Sequence, residues 1–139
     1  MSPTRSTPSS TPRTPAQVAF AGAGPGDPGL LTVRASELLA AADAVVIDQV
    51  ARHDVVERWC ATGIPVVDAG HGDHGESLTH ASRAKLVVRA AKAHPGGLVV
   101  RLMDGDPAIF NGLAEEAAAC AKAGISFEVV PGVSSVTAV

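Results

Sequence analysis

Aromatic residues and cysteines are scarce in this chain. Aromatic residues make up only 3% of its 139 residues, with three Phe, one Trp and no Tyr. Hydrophobic residues nevertheless reach 46%, so aliphatic side chains must build the core, and wholesale disorder is excluded. Cys60 and Cys120 lie far apart, form no CxxC motif and have no histidine at metal-ligand spacing. They predict packed, reduced thiols, and neither a disulfide nor a metal site is expected.

Long apolar runs and an excess of positive charge are also missing. No run approaches the ~20 residues that cross a bilayer, and the first residues lack the apolar stretch of a secretory signal. We therefore expect a cytoplasmic protein without a membrane partner. The net charge of -3 and the pI near 5.9 provide no basic field for a nucleic-acid backbone, so a nucleic-acid partner is not expected.

A tail and one domain are predicted from the distribution of residue types. Residues 1–16 are rich in Ser, Thr, Pro and Arg and contain no acidic residue, which predicts a disordered tail. After residue 17, short apolar runs alternate with helical patterns. Strands are predicted at 18–21, 44–47, 64–67, 98–102 and 127–130, and helices after Thr32 and at 54–61, 77–93 and 113–123. Because the runs are continuous, they predict burial on both faces, in a mainly parallel five-stranded α/β sheet with helices on both faces.

Ligands of open parallel sheets bind beyond the carboxyl ends of the strands, where this chain has unusual loops. Residues 22–29 read Gly-Ala-Gly-Pro-Gly-Asp-Pro-Gly, in which glycines expose backbone N–H groups and prolines restrict the loop. Residues 103–112 contain a Gly-Asp-Pro turn, and Pro-Gly-Val-Ser-Ser at 131–135 follows the fifth strand. Asp48 ends the second strand, where a carboxylate can accept a ribose hydroxyl, act as a base or cap the next turn.

Other interpretations of these loops stay open at this level. A glycine loop after strand one and Asp48 after strand two are compatible with a nicotinamide-dinucleotide-binding oxidoreductase domain, although Asp27 occupies the position of the third glycine in that fingerprint. The loop at 71–74 reads His-Gly-Asp-His, which is more typical of an exposed turn than of a complete metal site. The pair Glu115-Glu116 is explained by a favourable interaction with the dipole of its helix.

Four segments, taken in order, resemble the tetrapyrrole methylases, most closely the uroporphyrinogen-III C-methyltransferases. They read VAFAGAGPGDPGLLT, ADAVVID, VVRLMDGDP and FEVVPGVSS, and the likeness covers residues 17–139. The resemblance implies that residues 17–139 form the N-terminal domain of a two-domain enzyme whose second domain is absent from this chain. It also implies S-adenosylmethionine as the methyl donor, a tetrapyrrole substrate and a homodimer at full length.

Site residues are implied by position in the resemblance. Cofactor-binding positions of the family fall on Pro25, Asp104, Gly105, Asp106, Ile109, Ser134 and Ser135. The family's proton-accepting carboxylate falls on Asp48. The family has a lysine after the third strand, usually in the run Val-Gly-Lys-Arg. This chain reads Val-Asp-Ala-Gly-His at 67–71, so the position of that lysine falls near His71.

The implied reaction converts uroporphyrinogen III to precorrin-2 in sirohaem and cobalamin biosynthesis, by two successive methylations. Methylation of another precorrin and an inactive binding fragment are alternatives. The methyltransferase hypothesis requires the loops after strands one, four and five to converge on one pocket.

Overall fold

A computed structural model describes residues 14–48, 53–109 and 111–134. In these ranges parallel strands alternate with helices. The strands are β1 (Gln17–Gly22), β2 (Ala44–Ile47), β3 (Val66–Asp68), β4 (Leu98–Met103) and β5 (Phe127–Val130), and the helices are α1 (Val33–Ala41), α2 (His53–Trp59), α3 (His80–Ala93) and α4 (Leu113–Lys122). The predicted α/β class and five-stranded parallel sheet are confirmed. No helix in the described ranges is long and apolar enough to cross a membrane.

The helices cover both faces of the sheet, as predicted. Successive strand residues point to opposite faces, so each central strand contributes to two separate cores. On one face Val45 of β2 packs in a cluster with Leu39 of α1 and with residues of α2. On the other face Phe20 of β1 packs in a cluster with Val87 of α3 and Cys120 of α4. Burial on both sides explains why the strand segments read as continuous apolar runs.

The strand order β3-β2-β4-β1-β5 places β4 at the centre of the sheet. β4 pairs with β1 on one side and with β2 on the other. Because every pair is parallel, the carboxyl ends of all five strands lie along one edge. In the 3-2-1-4-5 order of dinucleotide-binding folds, the first two strands are neighbours. Here β4 separates them, which places Asp48 away from the first glycine loop and counts against the dinucleotide alternative.

Helix ends follow their caps. Thr32 caps α1 as predicted, with its Oγ1 accepting a hydrogen bond from the backbone N–H of Ala35 at 3.1 Å. The start predicted for α3 at Ser77 was wrong. Ser77 instead bridges His71 in the preceding loop, and α3 begins after Thr79, whose side chain caps it. Most of the other helix and strand ends differ from the predicted ends by one or two residues. Differences of this size are usual where the sequence shows no cap.

Residues 14–16, which lie before the predicted boundary, already contact the domain. Composition assigns residue 16 to the tail, yet Ala16 is only 1% exposed. Its N–H donates a hydrogen bond to the carbonyl oxygen of Ala91 at 2.9 Å, and the carbonyl oxygen of Thr14 accepts one from Gly96 at 3.0 Å. The chain is therefore fixed against the end of α3 before β1 starts. Residues 1–13, the rest of the predicted tail, lie outside the described residues.

Candidate functional site

Three loops meet at the carboxyl edge of the sheet through glycines. A Cβ built on Gly22 would lie 2.6 Å from the Cα of Gly132 and closer still to the carbonyl oxygen of Gly105. A Cβ on Gly132 would lie 2.7 Å from the Cα of Gly22. Only glycine allows backbones to approach so closely. We call Gly22, Gly105 and Gly132 the glycine node; it confirms that the loops after β1, β4 and β5 converge.

The loops after β1 and β4 are joined by their backbones. Gly24 and Gly105 form an antiparallel bridge, in which the N–H of Gly105 donates to the carbonyl oxygen of Gly24 at 3.0 Å. The N–H of Ala23 donates to the carbonyl oxygen of Met103 at 2.7 Å. Gly24 and Gly105 have φ values of 76° and 60°, in the left-handed region that favours glycine. The edge of the sheet thus presents a surface of backbone at this point.

Asp27 gives the first loop its shape. Its Oδ1 accepts a hydrogen bond from the N–H of Gly29 at 2.8 Å and caps a short 3-10 turn at Pro28–Leu30. The indole N–H of Trp59 on α2 donates to the carbonyl oxygen of Pro28 at 3.1 Å. The carboxylate at the third-glycine position therefore has a structural role, and α2 holds the loop in place.

Asn111 fixes the loop after β4, and sequence reasoning missed it. Its side-chain amide nitrogen lies 3.1, 2.8 and 3.0 Å from the carbonyl oxygens of Asp104, Asp106 and Ile109. The Oδ1 of Asp106 also accepts a hydrogen bond from the N–H of Ala108 at 3.2 Å. These bonds close the loop on itself beside the glycine node. A lone amide side chain between a Gly-Asp-Pro turn and a helix was the available signal.

The predicted cofactor positions gather on the loops of the glycine node. Pro25 lies on the first loop, four positions lie on the second (Asp104, Gly105, Asp106 and Ile109), and Ser134 follows β5. Ile109 is 38% exposed, whereas Ser134 is buried. Ser135 lies outside the described residues. The structure brings the described positions to one edge, and their role in binding a cofactor stays a prediction.

Asp48 is held by arginines. The Nη2 of Arg101 on β4 donates to the Oδ1 of Asp48 at 2.7 Å, and the Nε of Arg83 on α3 lies 3.9 Å from the same oxygen. Arg83 also donates to the carbonyl oxygen of Ala69 at 3.1 Å. The Asp48 side chain is 15% exposed. The carboxylate thus lies at the carboxyl edge with one oxygen committed to an ion pair.

Glu116 completes this arrangement; it lies in the first turn of α4 as predicted, but it has a second role that the sequence analysis missed. Arg101 donates from Nε to Oε1 of Glu116 at 2.5 Å and from Nη2 to Oε2 at 3.0 Å. Both side chains are at most 1% exposed, whereas Glu115 is exposed. The helix dipole alone therefore does not explain why Glu116 is buried. A charged residue inside the apolar run Leu98–Met103 was the signal, because a buried charge requires a partner.

The charge of Arg101 is stabilised by its partners. Burial acts to lower the pKa of the guanidinium, but the hydrogen bonds and charges of Glu116 and Asp48 outweigh it and raise the pKa above its ordinary value. Arg101 is therefore a permanent cation inside the fold. We call Arg83, Arg101, Asp48 and Glu116 the buried ion network; its charges balance.

His71 lies on the loop after β3. That loop starts beside Asp48, because a Cβ on Gly70 would overlap the backbone carbonyl oxygen of Asp48. The imidazole is exposed and lines an open cavity of about 420 Å³. Charged residues of both signs share this cavity: Asp68, Asp73, Glu76, Lys85 and Arg89. Among the described residues no group of three or more His, Cys, Asp or Glu is arranged to hold a metal ion. A catalytic role for His71 stays a prediction.

Comparison with known proteins places these features in context. A model of the family described as Tetrapyrrole (Corrin/Porphyrin) Methylases matches residues 17–139. The siroheme synthase of Photorhabdus laumondii subsp. laumondii is 41% identical over 121 residues, which cover 86% of this chain and 25% of that protein. The uroporphyrinogen-III C-methyltransferase of Cyanidium caldarium is 35% identical over 123 residues, which cover 88% of this chain and 48% of that protein.

A solved structure agrees in fold. The uroporphyrin-III C-methyl transferase from Thermus thermophilus, in complex with S-adenosylhomocysteine, matches with a TM-score of 0.71 at 36% identity, over 87% of this chain and 50% of that one. The chain thus spans between a quarter and a half of the length of these relatives.

Proposed function

Because the chain belongs to the tetrapyrrole methylase family, we propose that it forms the first domain of an S-adenosylmethionine-dependent C-methyltransferase. The proposed substrate is uroporphyrinogen III, methylated twice to give precorrin-2, by a homodimer of two-domain subunits. The names of the relatives support this substrate class. The observation that carries the proposal is the glycine node, which joins the loops after β1, β4 and β5 at one edge.

The node suits the proposed cofactor. The backbones of Gly22, Gly105 and Gly132 pack against one another with no side chain between them. A nucleoside ligand at this edge would therefore meet main-chain N–H and C=O groups of three loops at once. The exposed side chain of Ile109 offers an apolar contact to a base. The carboxylates of Asp104 and Asp106 flank Gly105 and suit the cationic amino-acid end of the ligand. Pro25 would border the ligand, and Ser134 and Ser135 would take its polar groups.

The chain contributes placement and proton transfer to the reaction. When bound, S-adenosylmethionine supplies an electrophilic methyl group. Holding a pyrrole carbon in near-attack geometry can contribute about 7–11 kcal/mol. Asp48 is the proposed base, since its Oδ1 is occupied by Arg101 and its Oδ2 can take the proton released when the pyrrole ring regains aromaticity. Such a base contributes roughly 10²–10⁴-fold. His71 is the proposed proton donor in place of the family's lysine.

Isothermal titration of the 139-residue chain with S-adenosylhomocysteine tests cofactor binding. We expect saturable heat at one site per chain. Ile109→Ala should weaken binding about tenfold, because removing an apolar contact of this size costs roughly 1.5 kcal/mol. Val33→Ala is the matched control, since Val33 is an aliphatic residue, 76% exposed, on α1 and not on the loops of the glycine node. Absence of heat both with the unchanged chain and with the chain fused to the second half of the Thermus thermophilus relative would overturn the proposal.

Mass spectrometry tests the acceptor. The chain, fused to the second half of the Thermus thermophilus relative, is incubated with S-adenosylmethionine and uroporphyrinogen III. Two added methyl groups support the proposed reaction. If uroporphyrinogen III gains no methyl group while another precorrin is methylated, the proposed substrate is wrong and that precorrin takes its place. NADH fluorescence that changes on addition of the chain would instead favour the dinucleotide alternative.

A further inference from the structure

The buried ion network runs from the core to the carboxyl edge of the sheet. Glu116 lies at the inner end on α4 and is fully buried. Arg101 bridges it to Asp48, using Nε and Nη2 for Glu116 and Nη2 again for Asp48. The Nη1 of Arg101 donates to the carbonyl oxygen of Leu102 at 3.2 Å. One guanidinium thus connects a carboxylate of the core to the carboxylate at the site.

Stability alone does not account for this arrangement. A buried ion pair is often no better for stability than apolar residues of similar volume, because desolvation offsets the attraction between the charges. The surrounding strand is apolar, and Val99 and Met103 occupy the same face of β4 as Arg101. An aliphatic residue at position 101 would continue that core. The guanidinium adds direction, because its planar donors fix the position of any carboxylate they contact.

We propose that Arg101 is a positioning residue for Asp48 and that Glu116 in turn positions Arg101. The pair holds the Asp48 carboxylate in one rotamer at the edge of the site, with Oδ1 turned to the core. This inference rests on the proposed function, in which Asp48 acts on the tetrapyrrole. Arg83, at 3.9 Å from the same oxygen, adds charge but is too distant for a hydrogen bond that would set the direction.

Two sets of variants separate positioning from a merely structural role. Arg101→Met alone leaves Glu116 buried without its partner, so it is expected to destabilise the fold strongly. The double variant Arg101→Met/Glu116→Leu replaces both charges with apolar groups and is expected to recover most of that stability. Asp48 keeps its place in the chain but loses its anchor. If the pair served only stability, the recovered fold would keep Asp48 as it is in the unchanged protein.

The Asp48 rotamer is measured by NMR in the 139-residue chain, from three-bond couplings of its carboxyl carbon. The unchanged chain should show the couplings of one staggered rotamer, and the folded double variant should show averaging over several. Asp43 is the internal control, because its Oδ2 accepts a hydrogen bond from the N–H of Leu98 at 2.8 Å and should keep one rotamer in both. A single Asp48 rotamer in the folded double variant would overturn the proposal.

Calorimetry on the same samples keeps the two proposals apart. We expect the double variant to bind S-adenosylhomocysteine within about twofold of the unchanged chain. The side chains of Arg101 and Glu116 bond to each other and to Asp48 after β2, whereas the glycine node is formed by backbone at the end of β1 and in the loops after β4 and β5. Failure of both the unchanged chain and its fusion to the second half of the Thermus thermophilus relative to bind would overturn the proposed function. The rotamer measurement would still decide whether Arg101 positions Asp48. If the double variant does not fold, the same NMR measurement on Arg101→Lys tests the proposal. Lysine keeps the positive charge but lacks the planar donors, so Asp48 should show averaged couplings.

Discussion

Arg101 and Glu116 form a bidentate ion pair between β4 and α4, with N–O distances of 2.5 and 3.0 Å. Breaking a buried pair by neutralising one partner leaves an uncompensated charge and costs about 3–5 kcal/mol. Asp48 still faces the guanidinium, so we expect Glu116→Gln to lower the free energy of unfolding by about 3 kcal/mol. Urea denaturation measures this change.

The neighbouring residue provides the control for that prediction. Glu115 has the same side chain in the same helical turn but is exposed. Glu115→Gln removes only a favourable interaction with the helix dipole, worth about 0.3–1 kcal/mol. Equal losses in the two variants would contradict the distinction between a buried ion pair and a dipole effect.

The glycine node should tolerate no side chain. Gly22→Ala places a methyl group against the backbones of Gly105 and Gly132, and relief requires the loops to separate. We expect a loss of about 3 kcal/mol in unfolding free energy, at the upper end of overpacking costs, and loss of S-adenosylhomocysteine binding. Gly124→Ala is the matched control, because it has a φ of 73° but nothing within 4 Å of an added Cβ. It should cost only about 1 kcal/mol of backbone strain and leave binding unchanged.

The thiols of Cys60 and Cys120 should lose their protons at a higher pH than a free cysteine does. Burial raises the pKa of Cys60 to about 11, and burial together with the charge of Glu116 raises that of Cys120 to about 11. The ordinary value is 9.0, so the folded chain holds its thiol protons longer than the unfolded chain between these two values. These groups therefore leave stability unchanged below about pH 9 and reduce it as pH rises from 9 towards 11.

Thiolate absorbance checks the thiol prediction directly, because a chain without tyrosine has no phenolate to mask it. The folded chain should show a midpoint near pH 11, and the chain unfolded in denaturant one near 9. Cys120→Ala should reduce the loss of stability in alkali. A midpoint near 9 in the folded chain would contradict the burial effect.

The Asn111 amide should control the mobility of the loop after β4. Asn111→Asp removes the donor and places a carboxylate against the carbonyl oxygens of Asp104, Asp106 and Ile109. Losing one net hydrogen bond costs about 1 kcal/mol, so amide hydrogen exchange over 104–109 should accelerate roughly tenfold once repulsion is added. Amides of α3 serve as the internal reference, and equal acceleration there would indicate general destabilisation instead.

Local chemistry made much of the fold predictable. Continuous apolar runs indicated strands buried on both faces, and Thr32 indicated a helix start. Each of these signals lies within a few residues of the feature it specifies. The convergence of the loops after β1, β4 and β5 was instead a requirement of the methyltransferase hypothesis, because the rule for parallel strands places every carboxyl end at one edge without saying which loops meet.

The missed features depend on contacts between distant segments. Arg101 and Glu116 are separated by 15 positions, and Arg101 and Asp48 by 53. The sequence contains several other charged residues that could form such pairs. The Arg101–Asp48 pair can be identified only once the strand order places β4 beside β2. Glu115 and Glu116 look equivalent in sequence, and only the rotation of α4 against β4 buries one of them. The Asn111 contacts likewise depend on the closed shape of a loop.

The central place of β4 has a consequence for folding of the growing chain. In the described sheet β4 alone joins the β2–β3 pair to the β1–β5 pair, and it begins only at Leu98. β1, the first strand of the described sheet in chain order, pairs with β4 and β5 and with neither of the two strands that follow it in the chain. Such long-range closure slows folding and leaves strand edges open to aggregation. During translation β1 therefore stays without its central partner until Leu98–Met103 has been made.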